Sequence, residues 1–320
     1  MHNSPQAPGL SPVEVPSAVK PYVADSLTHY KQRANARAAE LQMQLAPELL
    51  ALAREYVSQL TSSRNRPALM RELPRAHGTL MTLATGAGVP VLNWMVMQGL
   101  ICLEVQVQSR NSLPSIDTVA SYVRYLDLMF ERMARTDYVP DSEEFIKDLR
   151  FSFGMSFPVD AWWIDMRSRL AGRLGAWYGI RNPASCIAGL PSHLPCARLY
   201  VEPRLLAHFN EATLRRTYLA AAALMVADRS LVGMTVKSWF NDPAVGRISP
   251  RLGYLTSIAR DGGAKFIRGR TSEKDIARAT SKSATRKDLY LQGTYVPTPY
   301  SLFWRRDSLI AWAESEVGKP

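Results

Sequence analysis

Apolar residues fall at helical spacing through most of the first half of the chain. The clearest run is Ile116 to Arg135, where Ile116, Val119, Val123, Leu126, Phe130 and Met133 alternate at three and four residues behind Ser115, a natural N-cap. That stripe predicts a core-facing helix; it lasts under three heptads, too short for a sustained coiled coil. Val23 to Leu45, rich in Ala, Gln, Arg and Leu, predicts a helix, and Pro47-Glu48 opens another to about Leu60. Asp141 and Glu144 have the spacing of a capping box ahead of a helix reaching about Arg150. Phe151, Phe153, Met155 and Phe157 then alternate at period two, which fits a short strand or an extended linker. Val159 to Tyr178 reads as helix, with Trp162, Ile164, Met166, Leu170, Leu174 and Trp177 as candidate core. Asn210 can cap a helix running to Val226.

After Arg229 the pattern changes. Leu231 to Phe240 is β-branched and aromatic and ends in the turn signal Asn241-Asp242-Pro243. Ala264 to Arg268 is a second strand candidate. Thr294 to Trp304 is a third, which Pro297 and Pro299 would confine to a sheet edge. Asp307 can cap a last helix, Ser308 to Val317. The expected fold class is therefore α+β and predominantly helical, a helical N-terminal part with a smaller α+β C-terminal part. Residues 1–21, with five prolines, are expected as a flexible leader, 22–180 as a helical domain and 199–320 as a basic α+β domain. The junction falls at the Pro/Gly-rich stretch 181–198.

Gly78 to Leu103 carries no formal charge, enough length for a membrane span. Its glycines, Pro90, Asn93, Gln98 and threonines lower the transfer energy, so a loop followed by a buried helix, Val91 to Val107, is expected instead of a span. Cys102, Cys186 and Cys196 are too few and odd in number for a disulfide framework, and His2 to Pro16 lacks the charged and apolar regions of a secretory signal. Cytoplasm is the expected compartment.

Charge changes the picture most. The net charge is +11, and its placement is uneven: residues 1–160 hold 15 Lys+Arg against 16 Asp+Glu, residues 161–320 hold 24 against 12. The surplus peaks between Arg247 and Lys287, where eleven Lys or Arg face only Asp261, Glu273 and Asp275. Lys274, Arg278, Lys282 and Arg286 recur every four residues, and Ser272 with Asp275 can cap a helix carrying them, which would align the four cations in one ridge interleaved with the hydroxyls of Thr280, Ser281, Ser283 and Thr285. Like charges at that spacing disfavour an isolated helix, and a polyanion would relieve the strain. Either the ridge meets phosphates, or it is a solvated face whose cations meet acids such as Asp288 or Glu314. Tyr254, Phe266, Tyr290, Tyr295 and Tyr300 could stack on bases or belong to the core.

Other chemistries are less supported. Cys186-x6-His193-x2-Cys196 sets three metal-type ligands on a loop without the paired Cys-x2-Cys spacing of a zinc site, so two buried thiols are the favoured reading and these three remain weak metal candidates. Arg260-Asp-Gly-Gly-Ala-Lys265 approaches the Arg-x-x-Gly-x-Gly/Ala pyrophosphate loop of acetyltransferase-type folds, and departs from it at Lys265; a hairpin turn explains it equally well. Asp160 and Asp165 lie on different faces if helical, no Gly-x-Ser-x-Gly or His-Glu-x-x-His occurs, and Asp242 suits a turn better than a base. The function expected is binding of a phosphate-rich partner, nucleic acid first, with Arg260, Lys265, Arg268, Arg270, Lys274, Arg278, Lys282, Arg286 and Lys287 as phosphate-binding residues and no cofactor. The alternatives are a transferase using a phosphorylated cosubstrate such as acyl-CoA, with coenzyme A or a nucleotide held by Arg260, Gly262, Gly263 and Lys265, and a protein-interaction module without ligand chemistry.

Overall fold

A computed structural model describes residues 19–61, 66–83, 88–108, 116–135, 142–169 and 195–317. The fold is predominantly helical α+β. The described residues form two compact units, one ending at Pro158 and one beginning at Val159.

The first unit holds α1 (Val19–Gln42), α2 (Pro47–Thr61), α3 (Arg66–Leu83), α4 (Gly88–Gln108), α5 (Ile116–Ala134) and α6 (Ser142–Ser152). The charge-free stretch explains its centre. α4 packs against α1, α2, α3 and α6, and Val91 to Met97 are buried in unbroken succession, apolar residues on every face with Asn93 the one polar side chain in the run. The loop expected from Gly78 is instead α3, which runs through Gly78 to Leu83; one exposed glycine lowers helix propensity without ending the helix. Among the described residues no helix is long and apolar enough to cross a membrane. α5 follows its predicted stripe, with Leu126, Phe130 and Met133 buried beside Tyr122, Tyr125 and Met129. Its one buried cation, Arg132, pairs with Asp148 of α6, whose Oδ1 also accepts from the Tyr125 hydroxyl at 2.7 Å. The proposed Asp141 cap lies outside the described residues.

The second unit is built on a six-stranded sheet of order β1-β2-β3-β4-β6-β5: β1 (Ser156–Val159, at the division between the units), β2 (Trp162–Arg169), β3 (Pro195–Val201), β4 (Gly233–Ser238), β5 (Lys265–Arg268) and β6 (Tyr300–Arg305). β3 and β4 are parallel, joined by α7 (Glu211–Ala227); β2–β3, β4–β6 and β5–β6 are antiparallel. After β4 come α8 (Val245–Ile248) and α9 (Tyr254–Asp261), then β5, α10 (Glu273–Thr280), α11 (Ala284–Leu291), β6 and α12 (Arg306–Val317). The register places Trp162, Ile164, Leu199, Val236, Leu302 and Trp304 on one face of the sheet. Helices cover it: Tyr218 of α7 and Trp312 of α12 each put a ring 5.2–5.9 Å from Trp304 or from each other, and Trp162 stacks on Phe209 at 5.2 Å.

Three expectations change here. The helix predicted over Val159 to Tyr178 is strand β2 as far as Arg169, and 170–178 lie outside the described residues. Trp162, Ile164 and Met166 recur at period two, the strand spacing, which places Ile164 on the opposite side of a helix from the other two, and the segment pairs with β3 some thirty residues away. The stretch read as a break, 181–198, overlaps the first half of β3, while 181–194 lie outside the described residues. β6 is interior, between β4 and β5, because Pro297 and Pro299 precede the strand and remove no ladder donor from it. The expected strands at β4 and β5 and the helix at α12 form. Asn210 caps α7 by a reciprocal box, its Oδ1 accepting from Thr213 N–H at 3.0 Å and Thr213 Oγ1 accepting from Asn210 N–H at 3.2 Å. Asp242 is a turn former: its Oδ1 accepts from Ala244 N–H at 2.9 Å.

Candidate nucleic-acid interface

The glycine loop has a packing explanation. α9 ends at Gly262, and the amides that follow return to its last carbonyls: Gly262 to Ile258 at 3.1 Å, Gly263 to Arg260 at 2.9 Å, Ala264 to Ala259 at 2.8 Å. Trp304 Nε1 donates to Gly262 O at 2.8 Å, and a Cβ at Gly262 would stand 2.0 Å from Trp304 Cζ2. Gly263 takes φ +86°, a conformation side chains rarely adopt. Both glycines serve the turn from α9 into β5 against the central tryptophan. The loop's amides are engaged, and a helix C-terminus repels anions, so only the side chains of Arg260 and Lys265 remain to meet a phosphate there.

The cations after it are displayed by short elements. Lys265 and Arg268 are exposed at the two ends of β5, which is the edge strand of the sheet, and Arg270 is exposed in the link to α10. Arg260, exposed at the end of α9, places its guanidinium 5.6 Å from the Phe266 ring centroid on β5. One further cation was not anticipated: Lys237 of β4, which brings its Cε beside Gly269. Its signal was register, since Lys237 and Ile267 both lie opposite Ser301, and register is invisible before the strands are paired.

The four-cation ridge does not form on one helix. Ser272 and Asp275 make the predicted capping box, but α10 ends at Thr280 and a new helix starts at Ala284. Ser283 causes the restart: its Oγ accepts from Arg286 N–H at 3.3 Å, giving α11 its own N-cap. Lys274 and Arg278 are exposed on α10, Lys282 is exposed in the turn, and Lys287 is exposed on α11. Two of the interleaved hydroxyls act locally, Ser283 as this cap and Thr280 by donating to Ile276 O at 2.9 Å.

Arg286 leaves the set altogether. It is 5% exposed. Its Nε donates to Ala279 O at 2.7 Å, its Nη1 to Ser249 Oγ at 3.2 Å, and its guanidinium lies 4.6 Å from the Trp239 ring centroid. Burial, reinforced by the charge of Arg251, holds it below the usual arginine range. Burial and the nearby Asp242 push the Tyr295 hydroxyl above its ordinary range in the same neighbourhood.

The other candidates separate cleanly. Tyr295 is buried, Tyr254 is half-buried and donates to Phe209 O at 3.3 Å, and Phe266, Tyr290 and Tyr300 are half-buried; none of the five is an exposed stacking platform. Cys196 is fully buried in β3, and burial pushes its thiol up to about 12. Cys186 and His193 lie outside the described residues, and among the described residues no group of three or more His, Cys, Asp or Glu is placed to hold a metal. Asp160, in a left-handed turn at φ 52°, accepts from Arg216 Nε and Nη2 at 3.0 and 2.9 Å, whereas Asp165 lies within β2 opposite Arg198.

No family model matches the chain, and no curated protein or solved structure matches it.

Proposed function

We propose that the C-terminal unit binds nucleic acid through its phosphates. One observation carries the reading. Arg247, Arg251, Arg260, Lys265, Arg268, Arg270, Lys282 and Lys287 are all exposed, and among the described residues no ion pair joins any of them to a carboxylate. Uncompensated cations concentrated over some forty residues raise the local potential and draw in a polyanion. The acyl-CoA alternative has less support, because the amides that would cradle a pyrophosphate are bonded within the turn.

The test is a mobility-shift titration of the full chain against duplex DNA, single-stranded DNA and RNA at two salt concentrations. If six of the exposed cations engage phosphates, affinity falls by about a thousandfold between roughly 50 and 200 mM salt through counterion release. Absence of binding at the lower salt would remove the reading. Stabilisation by coenzyme A or a nucleotide in a thermal-shift screen, with no nucleic-acid binding, would favour the transferase instead.

A further inference from the structure

The elements that carry these cations have a shape of their own. α10 and α11 are each eight residues long and are joined by three, Ser281 to Ser283. Each begins with its own side-chain cap, Ser272 and Ser283. Two short helices, separately capped and in contact across a three-residue turn, have the element lengths and the turn length of a helix-turn-helix.

We propose that α10, the turn and α11 are a helix-turn-helix, and that α11 enters the major groove of duplex DNA. The proposal rests on the nucleic-acid reading above and narrows it to one ligand and one binding mode. The inward faces are Ile276, Ala279 and Thr280 on α10 and Arg286, Leu289 and Tyr290 on α11, all buried or half-buried. Arg286 fastens them, bonding from α11 back to the Ala279 carbonyl and resting on Trp239. The pair is thus fixed to the body of the unit before any ligand arrives, as a reading helix requires.

The outward face of α11 is Ala284, Lys287, Asp288 and Leu291, at i, i+3, i+4 and i+7, with Thr285 beside them. Every one of these is exposed, Leu291 by 71%. This row holds more than phosphate-binding groups. It sets a cation, an acid, a hydroxyl and apolar groups in a row, the chemistries that distinguish base edges: Lys for guanine O6 and N7, Asp for the cytosine amine, methyl groups for thymine. Phosphate contacts fall to the flanking cations, Arg268 and Arg270 before α10 and Lys282 in the turn.

Two observations select the duplex. A helix with its side chains is about 10–12 Å across, which the B-form major groove, about 12 Å wide, admits, whereas the deep, narrow groove of duplex RNA does not. Recognition of single strands calls for exposed aromatic rings, and the aromatic residues near these helices are buried or half-buried.

The experiment is selection of bound sequences from a random duplex pool by the full chain, followed by anisotropy titrations of the enriched duplex, its single strands, the matching RNA duplex and random duplex DNA. Thr285→Ala, Lys287→Gln and Asp288→Ala are compared with Arg268→Gln/Arg270→Gln, all checked for unchanged circular dichroism. The expected result is an enriched DNA sequence, with each α11 variant lowering its advantage over random duplex about tenfold or changing the base preferred, and the double Arg variant weakening both duplexes alike. Salt-dependent binding with no enriched sequence, with single strands or RNA bound as well as duplex DNA, or with specificity untouched by all three α11 variants would overturn the helix-turn-helix while leaving the nucleic-acid reading intact. Failure to bind any nucleic acid at low salt would overturn both.

Discussion

Arg286 is a buried, structural cation in a segment whose other cations are exposed. Truncation by Arg286→Ala removes two hydrogen bonds from a charged donor, at 2.7 Å to Ala279 O and 3.2 Å to Ser249 Oγ, and a cation–π contact at 4.6 Å from Trp239. Such hydrogen bonds contribute about 1.5–3 kcal/mol each, and the ring contact about 0.5–2 kcal/mol. Against this stands the desolvation of a guanidinium that is 5% exposed, a penalty of several kcal/mol that truncation refunds. The balance leaves a net destabilisation of about 2 kcal/mol, because the α10 carbonyl at Ala279 loses its donor and the stem leaves a gap. For a unit of this size that is a fall in Tm of roughly 4–8 °C. Lys287→Ala, one residue along and exposed, changes stability by less than about 0.5 kcal/mol.

The assay is urea unfolding followed by tryptophan fluorescence, with Trp239 under the guanidinium as a local reporter, alongside nucleic-acid affinity measured well below the transition. Arg286→Lys does not rescue, since an ammonium has neither the fork nor the flat face that bridges Ala279 O, Ser249 and Trp239 at once. A variant Arg286→Ala that unfolds like the parent and loses affinity as Lys287→Gln does would refute the reasoning and return Arg286 to the ligand.

Gly262→Ala should lower stability by about 1–3 kcal/mol, because its Cβ would stand 2.0 Å from Trp304 Cζ2 and the tryptophan or the turn must yield; an unchanged Tm would mean that the contact is slack. Asn210→Ala should cost α7 its reciprocal cap and about 1 kcal/mol, read as a shift in the urea midpoint, with no shift counting against the box. The Cys196 thiol is raised from 9.0 to about 12 and the Tyr254 hydroxyl from 10.0 to about 12, both by burial first, so the folded chain holds protons that the unfolded chain releases. Stability is then undiminished below about pH 9 and falls as the pH rises toward 12, seen as a declining urea midpoint between about pH 9 and pH 12; a flat profile would contradict the burial of these groups.

Local signals were readable and distant ones were not. The box at Asn210, the box at Ser272 and Asp275, the stripe of α5 and the strand at Gly233–Ser238 each depend on residues within one or two turns of one another. β2 and β3 depend on each other across a long separation, and the period-two set Trp162, Ile164 and Met166 gains its partners only when Leu199 and Val201 are set opposite Ile164 and Trp162. The site divides in the same way. That cations crowd the segment from Arg247 is plain from composition, but their spacing of four continues from Arg278 through Lys282 to Arg286 across a helix end, where it no longer describes one face. The burial of Arg286 needs Ser249 and Trp239, tens of residues away, and nothing in its own neighbourhood announces it.

Arg286 and Lys287 show how one run of cations is divided between the interior and the surface. Successive helical residues turn by about 100°, so when one points inward the next points out. Arg286 points inward because the last turn of α10 offers it a carbonyl and Trp239 offers it a flat ring, which an arginine can satisfy together and a lysine cannot. Fixing that side chain sets the rotation of α11, and the same rotation turns Lys287, Asp288 and Leu291 outward as a group. A continuous helix from Ser272 to Leu291 would have spread its cations along a ridge suited only to charge. The break at Ser283 gives the second helix a cap, a fixed rotation and a mixed outward row, the features that the proposed base-reading role requires of it.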